Sequence, residues 1–372
     1  MRLGLELVYS ATSLESPVSS LYDLCGESWI VPESERTVEM TEHLIGALKS
    51  SPVIYRYPAN PILSAKDVPY PSALVFNAGV TKFQGTYVMV FRNDYGSLEE
   101  KRLDGTNLGL AFSEDGITWE VQPTPCFELA DQEILRAYDP RLTVMDGRCY
   151  MCFAVDTRHG VRGGIAVTDD FETFEILSMS TPDNRNMVLF PETFHDLFVR
   201  LERPFPVYSR GGRERFDIWI SDSPDLEYWG HADLLLAVED VSFANTKLGP
   251  AAPPVKTPKG WLTTFHAVDF DPSRGKNGWE ESWKKRYTAG IMLLDLDNPR
   301  HIVGLYKEPL MAPEAPYEVE GGFRNHTVFP CGMILEDTGE VKIYYGAADI
   351  VTCLATADVH DLLDLCIGAD GG

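Results

Sequence analysis

Short apolar runs separated by tight polar turns fill this chain from residue 53 onward, and the runs come in groups of three. Residues 73–77, 87–92 and 108–112 make the first group, and 140–145, 149–154 and 164–167 the second. The third holds 187–190, 197–201 and 216–220, the fourth 251–255, 261–267 and 289–294, and the fifth 328–335, 341–345 and 352–355. Their brevity and their Val, Ile, Phe and Tyr content predict strands. Asp146-Gly147, Pro258-Lys259-Gly260 and Asp337-Thr338-Gly339 supply hairpin turns within the groups. Each group closes in an acidic turn, clearest in Ser113-Glu114-Asp115-Gly116-Ile117-Thr118-Trp119, in Thr168-Asp169-Asp170-Phe171-Glu172-Thr173-Phe174 and in Ser221-Asp222-Ser223-Pro224-Asp225-Leu226-Glu227-Tyr228-Trp229. Asp115, Asp170 and Asp225 recur at a constant interval. Weaker copies are Leu296-Asp297-Asn298-Pro299 and Ala357-Asp358-Val359-His360-Asp361-Leu362. A fixed period of all-β units, each too small to bury its own faces, predicts an all-β, five-bladed β-propeller. Such a ring gathers one innermost strand per blade around a central pocket.

Residues 1–52 fall outside the period. Glu33-Ser34-Glu35-Arg36 followed by Val38, Thr41, Ile45 and Leu48 has helical spacing, with Lys49 late in the pattern. The expected division is a partly helical N-terminal extension over 1–52 and a propeller domain over 53–372. The extension is expected to pack on the rim, or on a partner subunit in a homo-oligomer. Two loops exceed turn length. Residues 209–215 are basic and glycine-rich, and residues 270–286 carry Trp279 and Trp283 among charges. Long loops on a rigid scaffold serve binding, or are simply solvated surface.

Charge narrows the partners. A net charge of −24 disfavours nucleic acid and anionic membranes. No apolar run reaches the ~18 residues that span a bilayer, and the first residues lack a signal-peptide pattern. Seven cysteines at irregular spacing suit buried thiols in a reducing cytoplasm. Cys149 and Cys152 form a C-x-x-C within a strand run, where residues three apart face opposite sides, so no metal site is expected.

Polar residues inside otherwise apolar strand runs are the candidates for chemistry. Asn77 interrupts the first run, Asp139 precedes Pro140-Arg141, and Arg185-Asn186 precede Met187. Arg203 follows a third-blade strand, Lys247 precedes Leu248-Gly249-Pro250, His266 lies within a fourth-blade strand, and Asp349 ends one in blade five. Singly, each reads as a solvated rim residue or a structural ion pair. Inner strands converge on one axis, however, and burying such groups unpaired is costly. Their recurrence in successive blades favours a shared polar pocket.

Six segments in this order, Val75-Phe76-Asn77-Ala78-Gly79, Ala137-Tyr138-Asp139-Pro140-Arg141, Asn184-Arg185-Asn186-Met187-Val188-Leu189-Phe190-Pro191, Lys247-Leu248-Gly249-Pro250-Ala251, Phe265-His266 and Tyr344-Tyr345-Gly346-Ala347-Ala348-Asp349, resemble those of glycoside hydrolase family 130, the β-mannoside phosphorylases. The likeness runs from about residue 57 to about residue 363. It implies that Asp139 is the sole catalytic carboxylate, a general acid acting through the 3-hydroxyl of the mannosyl unit. It implies phosphate binding by Arg185, Arg203 and Lys247, with Asn186 and His266 beside them. Arginine suits oxyanions through its planar fork and lysine adds a point charge. Asn77, Arg92, Tyr138 and Asp349 match positions that hold the mannose, with Asn93 and Asp94 adjoining. Inorganic phosphate is then a co-substrate attacking from the α face, and no metal or organic cofactor is called for.

The sequence departs from the better-known members at Phe323-Arg324-Asn325-His326-Thr327-Val328-Phe329-Pro330, where His326 stands at an expected asparagine and is a further substrate-binding candidate. The 270–286 segment also differs, and its Trp279 or Trp283 can line an acceptor site or pack on the rim. The expected function is therefore an inverting phosphorylase of β-1,2- or β-1,4-linked mannosides, releasing α-mannose 1-phosphate. The alternatives are a β-mannoside hydrolase of the same fold, which lacks the basic cluster, and a non-catalytic carbohydrate-binding propeller.

Overall fold

The computed structural model describes residues 45–206, 210, 214–279 and 283–368. Its repeating unit is set by one local device. In blade one the Ser113 hydroxyl accepts from the Gly116 amide, and Asp115 Oδ1 accepts from the amides of Ile117 and Thr118. Thr168 with Asp170, and Ser223 with Asp225, repeat that pattern. Short polar side chains here replace the missing backbone partners of a chain reversal. The turn sends the chain from the third strand of a blade to its outermost strand.

The first blade is β2 (Leu74–Phe83), β3 (Thr86–Ser97), β4 (Arg102–Ser113) and β5 (Glu120–Val121). The second is β6 (Ile134–Met145), β7 (Arg148–Thr157), β8 (Gly160–Thr168) and β9 (Glu175–Met179), and the third is β10 (Asn184–Leu189), β11 (Phe198–Pro204), β12 (Ile218–Ser223) and β13 (Gly230–Leu236). The fourth blade contains β14 (Lys247–Pro250), β15 (Val255–Thr257), β16 (Gly260–Phe270), β17 (Lys285–Leu294) and β18 (Ile302–Leu305). The fifth is β19 (Val328–Leu335), β20 (Glu340–Ala347) and β21 (Val351–Asp358). Its outer strand is β1 (Tyr55–Arg56), pairing Tyr55 with Thr356 and Arg56 with Ala355. The start of the propeller thus completes its last blade and closes the ring. The fifth copy of the acidic turn starts a helix instead of an outer strand. There Asp358 Oδ1 accepts from the His360 amide and caps α2 (Val359–Ile367). A one-turn helix, α1 (Pro316–Val319), precedes β19.

Two expectations need correction. The inner strand of blade four is Lys247–Pro250 rather than 251–255. Pro253 and Pro254 have no amide to donate to a ladder, so pairing lapses and resumes at Val255 with Leu262. The helix read through Ile45 and Leu48 is absent at its end, since residues 45–50 carry no regular structure. The rest of that helix lies outside the described residues.

Five apolar clusters fill the five seams between blades. Blades one and two share Val90, Leu110, Met151 and Phe153, and two and three share Cys152, Ile165, Met187 and Leu189. Blades three and four share Val188, Ile218, Trp261 and Phe265. Four and five share Leu262, Ile291, Ile343 and Ala355, and five and one share Tyr344, Leu354, Val75 and Met89. Each fully buried side chain of this size is worth roughly 1.5–3 kcal/mol, so the seams hold the ring and fix the inner strands. Cys149 and Cys152 lie in different seams, on opposite faces of β7. Among the described residues, no helix is long and apolar enough to cross a membrane.

Candidate active site

Three inner strands carry the same irregularity at the same height. Ladder register shifts between Phe76 and Gly79 in β2, between Tyr138 and Arg141 in β6, and between Arg185 and Val188 in β10. Each bulge holds a left-handed residue: Asn77 at φ 51°, Asp139 at 54° and Asn186 at 58°. Asn and Asp tolerate this conformation better than other side-chain-bearing residues. The bulge turns one polar side chain per blade into a shared cavity of about 270 Å³ on the axis. Asp349, at φ 51° just after β20, joins them from blade five. Room is made by glycine: a Cβ on Gly346 would sit 2.2 Å from Asn77 Oδ1.

Asp139 accepts from Asn77 Nδ2 at 3.0 Å and faces an Arg92 guanidinium nitrogen at 3.3 Å. Burial alone would raise its proton affinity, but Arg92, Arg141, Asn77 and Arg185 outweigh it and hold the carboxyl below the usual range. Arg92 is fixed in turn by a bidentate pair with Asp94 at 2.9 and 2.7 Å, and its guanidinium lies over the rings of Phe76 and Tyr138. Asp94 also accepts from Thr106, while Asn93 donates to Asn107 and to the Pro71 carbonyl. Neither Asn93 nor Asp94 lines the cavity; both are buried behind Arg92.

The opposite side is cationic. Arg185 donates to the Tyr138 hydroxyl at 3.1 Å, and that hydroxyl donates to Asp156 at 2.7 Å. Arg203 Nη1 lies 3.0 Å from His266 Nε2. Arginine has no acceptor, so Nε2 must be the bare nitrogen of a neutral imidazole. Burial and then Arg203 push the His266 pKa well below its ordinary value, in agreement. The close approach relies on Gly249, where a Cβ would come within 2.3 Å of the imidazole. Burial and the neighbouring Arg185 bring Arg203 down to about 9. Lys247 falls to about 6 through burial and the charges of Arg203, Lys285 and Arg185. Among the described residues, Arg185 Nε and the Nε and Nη2 of Arg203 are buried with no hydrogen-bond acceptor. Cations so crowded and so poorly satisfied call for an oxyanion.

The structure therefore brings Asp139, Asn77, Arg92, Tyr138, Asp349, Arg185, Asn186 and Arg203 to one cavity. Lys247 and His266 stand behind Arg203, with Lys247 4.2 Å above the Phe216 ring. His326 is off the cavity; its carbonyl accepts from the Tyr287 amide at 2.9 Å. Sequence reasoning missed Tyr287, Arg136, Asp156 and Arg324, which also line it. Asp156 and Arg136 flank a candidate strand without interrupting an apolar run. Tyr287 sits at the edge of a long loop. Only the Arg324 segment carried a signal, as a departure from the expected motif.

A family model for glycoside hydrolase family 130, described as beta-1,4-mannooligosaccharide phosphorylase, matches residues 53–367. The chain belongs to this family. It is similar to a beta-1,4-mannooligosaccharide phosphorylase of Ruminococcus albus, with 32% identity covering 84% of this chain and 90% of the relative. It is also similar to a 1,2-beta-oligomannan phosphorylase of a Thermoanaerobacter strain, with 29% identity over 81% of this chain and 96% of the relative. The solved structure of the beta-1,2-mannobiose phosphorylase of Listeria innocua with beta-1,2-mannobiose superposes with a TM-score of 0.71, at 25% identity, covering 84% of this chain and 98% of that one. Membership of family 130 agrees with the five-bladed ring and with an enzyme of the β-mannoside phosphorylase type.

Proposed function

We propose that this protein is an inverting β-mannoside phosphorylase in which phosphate occupies the cationic side of the cavity and Asp139 serves the leaving group. The observation that carries the reading is the set of buried, unaccepted N–H groups of Arg185 and Arg203, facing the same cavity as Asp139. Five arginines (92, 136, 185, 203, 324) and three aspartates (139, 156, 349) line it, an excess of positive charge in a chain of net charge −24. A phosphate dianion balances that excess.

In this mechanism Asn77, Arg92, Tyr138 and Asp349 hold the mannosyl unit. A phosphate oxygen attacks the anomeric carbon from the α face and supplies the electron pair for the new C–O bond. The pair of the breaking glycosidic bond goes to the leaving oxygen, which takes a proton from Asp139 through the sugar 3-hydroxyl. Asp139 is held ionised in the free enzyme by Arg92, Arg141, Asn77 and Arg185. A dianion bound at Arg185 offsets one of those charges and raises the proton affinity of Asp139 when the acid is required. An inverting hydrolase needs a second carboxylate to activate water. Here Asp156 is engaged by Arg136 and Tyr138, and Asp349 by Arg324. Phosphate is its own nucleophile, so the reaction calls for no metal or organic cofactor. Six free cysteines among the described residues support action in a reducing compartment.

The decisive experiment is product analysis on β-1,2- and β-1,4-mannobiose and β-mannosyl-glucose, with and without phosphate. Mannose 1-phosphate formed only with phosphate supports the reading, and the linkage that reacts identifies the substrate. Free mannose at equal rates in both conditions overturns it.

A further inference from the structure

We propose that the loop of residues 320–327 is the acceptor-reading wall of the site and that Arg324 is its specificity-determining side chain, donating to oxygens of the leaving-group sugar. The inference rests on the phosphorylase reading and extends it to the part of the substrate that phosphate does not touch.

Topology places the wall. An inverting displacement puts nucleophile and leaving group on opposite faces of the anomeric carbon. Arg185 and Arg203 come from blade three, on β10 and β11. In a ring of five, blade three faces the seam between blades five and one. At that seam Phe323 joins an apolar cluster with Leu74, Phe76, Leu103 and Ile350. Its neighbour Arg324 bonds Asp349 Oδ2 at 3.3 Å. Phe323, Arg324 and Leu103 all line the cavity.

The loop is held rigidly by the segment the sequence singled out. From residues 270–286, the Trp279 amide donates to the Phe323 carbonyl at 2.8 Å, and Asn277 Nδ2 and Trp283 Nε1 donate to the Asn325 carbonyl at 3.0 and 3.4 Å. A Cβ on Gly278 would lie 2.3 Å from the Phe323 carbonyl oxygen, so contact with the loop is close. From the other side the Arg324 amide donates to Ala348. Trp283 is only 6% exposed and stacks on Tyr287 at 5.6 Å. It lines the cavity with little of its ring exposed. It carries Arg324, whose guanidinium lies 4.6 Å from the Trp283 ring centre and 5.0 Å from that of Phe323. Two rings thus fix the plane of a side chain that remains 32% exposed at the cavity. Guanidinium offers donors only, in a rigid fork, and so reads the positions of sugar oxygens rather than of hydroxyl protons.

The test runs the reaction in the synthetic direction, from mannose 1-phosphate with mannose, glucose, N-acetylglucosamine and mannobiose as acceptors. Arg324→Ala is expected to raise the acceptor KM about tenfold or more and to reorder the acceptors, while the KM for mannose 1-phosphate, which feels only the loss of the Asp349 pair, rises clearly less. Arg324→Lys keeps the charge without the fork and is expected to fall between, which decides the matter if the alanine variant does not fold. Trp283→Phe should reproduce the acceptor effect in weaker form. An unchanged acceptor order with only a lower kcat, or an equal rise in both KM values, overturns the proposal. A wild-type enzyme that forms no mannose 1-phosphate from any mannoside and phosphate removes the phosphorylase reading and this proposal with it.

Discussion

The roles proposed for Asp139 and for the cations opposite it are separable by single substitutions. Asp139→Asn keeps the shape and removes the proton. Turnover is expected to fall about 10²–10⁴-fold with little change in the phosphate KM. Steady-state rates at varied phosphate check this, and near-normal turnover would exclude Asp139 as the acid. Arg203→Lys keeps one charge but loses the two nitrogens now without acceptors. Its phosphate KM is expected to rise by about an order of magnitude while the mannoside KM stays close to wild type. An equal rise in both would mean that Arg203 supports the pocket generally. These residues were legible in the sequence because each is a charge set against an apolar strand. Arg136, Asp156 and Tyr287 were not, because a polar residue beside a loop carries no such contrast.

The bulged inner strand is the element that turns a generic propeller into a site. Strand positions and the seams between blades follow from the apolar period, and the ring could be read from it directly. The bulges could not: they add a residue without altering composition, and only Asn77, Asp139 and Asn186 mark them. Blade four departs because its proline pair breaks the ladder, so Lys247 enters from a short, regular strand instead. The bulge makes a specific demand at Asn77, a positive φ together with a donor to Asp139. Asn77→Gly removes only the donor, whereas Asn77→Ala removes the donor and also forces a Cβ into the left-handed region without compensation. Both variants should lose activity, and the alanine variant should be the less stable by about 1 kcal/mol in denaturant titrations. Equal stability would show that the ladder relaxes around the bulge.

At the scale of the whole molecule, the proposed phosphate site makes the crowded cations a load on the free ring, and pH tests it. Lys247 has a folded pKa of about 6 against an ordinary value of 10.5. Between those limits the unfolded chain binds more protons than the folded one, so this group makes stability rise with pH, and its destabilising effect is greatest below about 6. Asp349 has the opposite shift, from 3.8 to about 6 by burial, opposed by Arg324 and Arg92. Its contribution falls as pH rises from 3.8 and is spent by about 6, and His266 titrates below its ordinary 6.5. Between pH 7 and 8 the slope therefore belongs chiefly to Lys247; toward pH 9 the thiols of Cys126, Cys149, Cys152, Cys331 and Cys366, pushed up from 9 to about 12 by burial, oppose it, because the unfolded chain then loses protons that the folded one keeps. Without anion, the melting temperature should climb from pH 7 to 8. Phosphate at about 100 times its Kd stabilises the fold by ~2.7 kcal/mol. A dianion bound at Arg203 is expected to favour the proton on the neighbouring Lys247, so the climb should flatten. Lys247→Met removes the buried amine, which must give up its proton on folding at pH 7, while keeping an apolar stem. It should melt a few degrees higher than wild type at pH 7 without phosphate, show a shallower pH slope, and gain less from phosphate. Thermal melts of both proteins at about pH 7, 7.5 and 8, with and without phosphate, measure all three quantities. A wild-type melting temperature that is flat from pH 7 to 8 without anion would mean that water already satisfies the cluster and that the ring bears no electrostatic strain for phosphate to relieve.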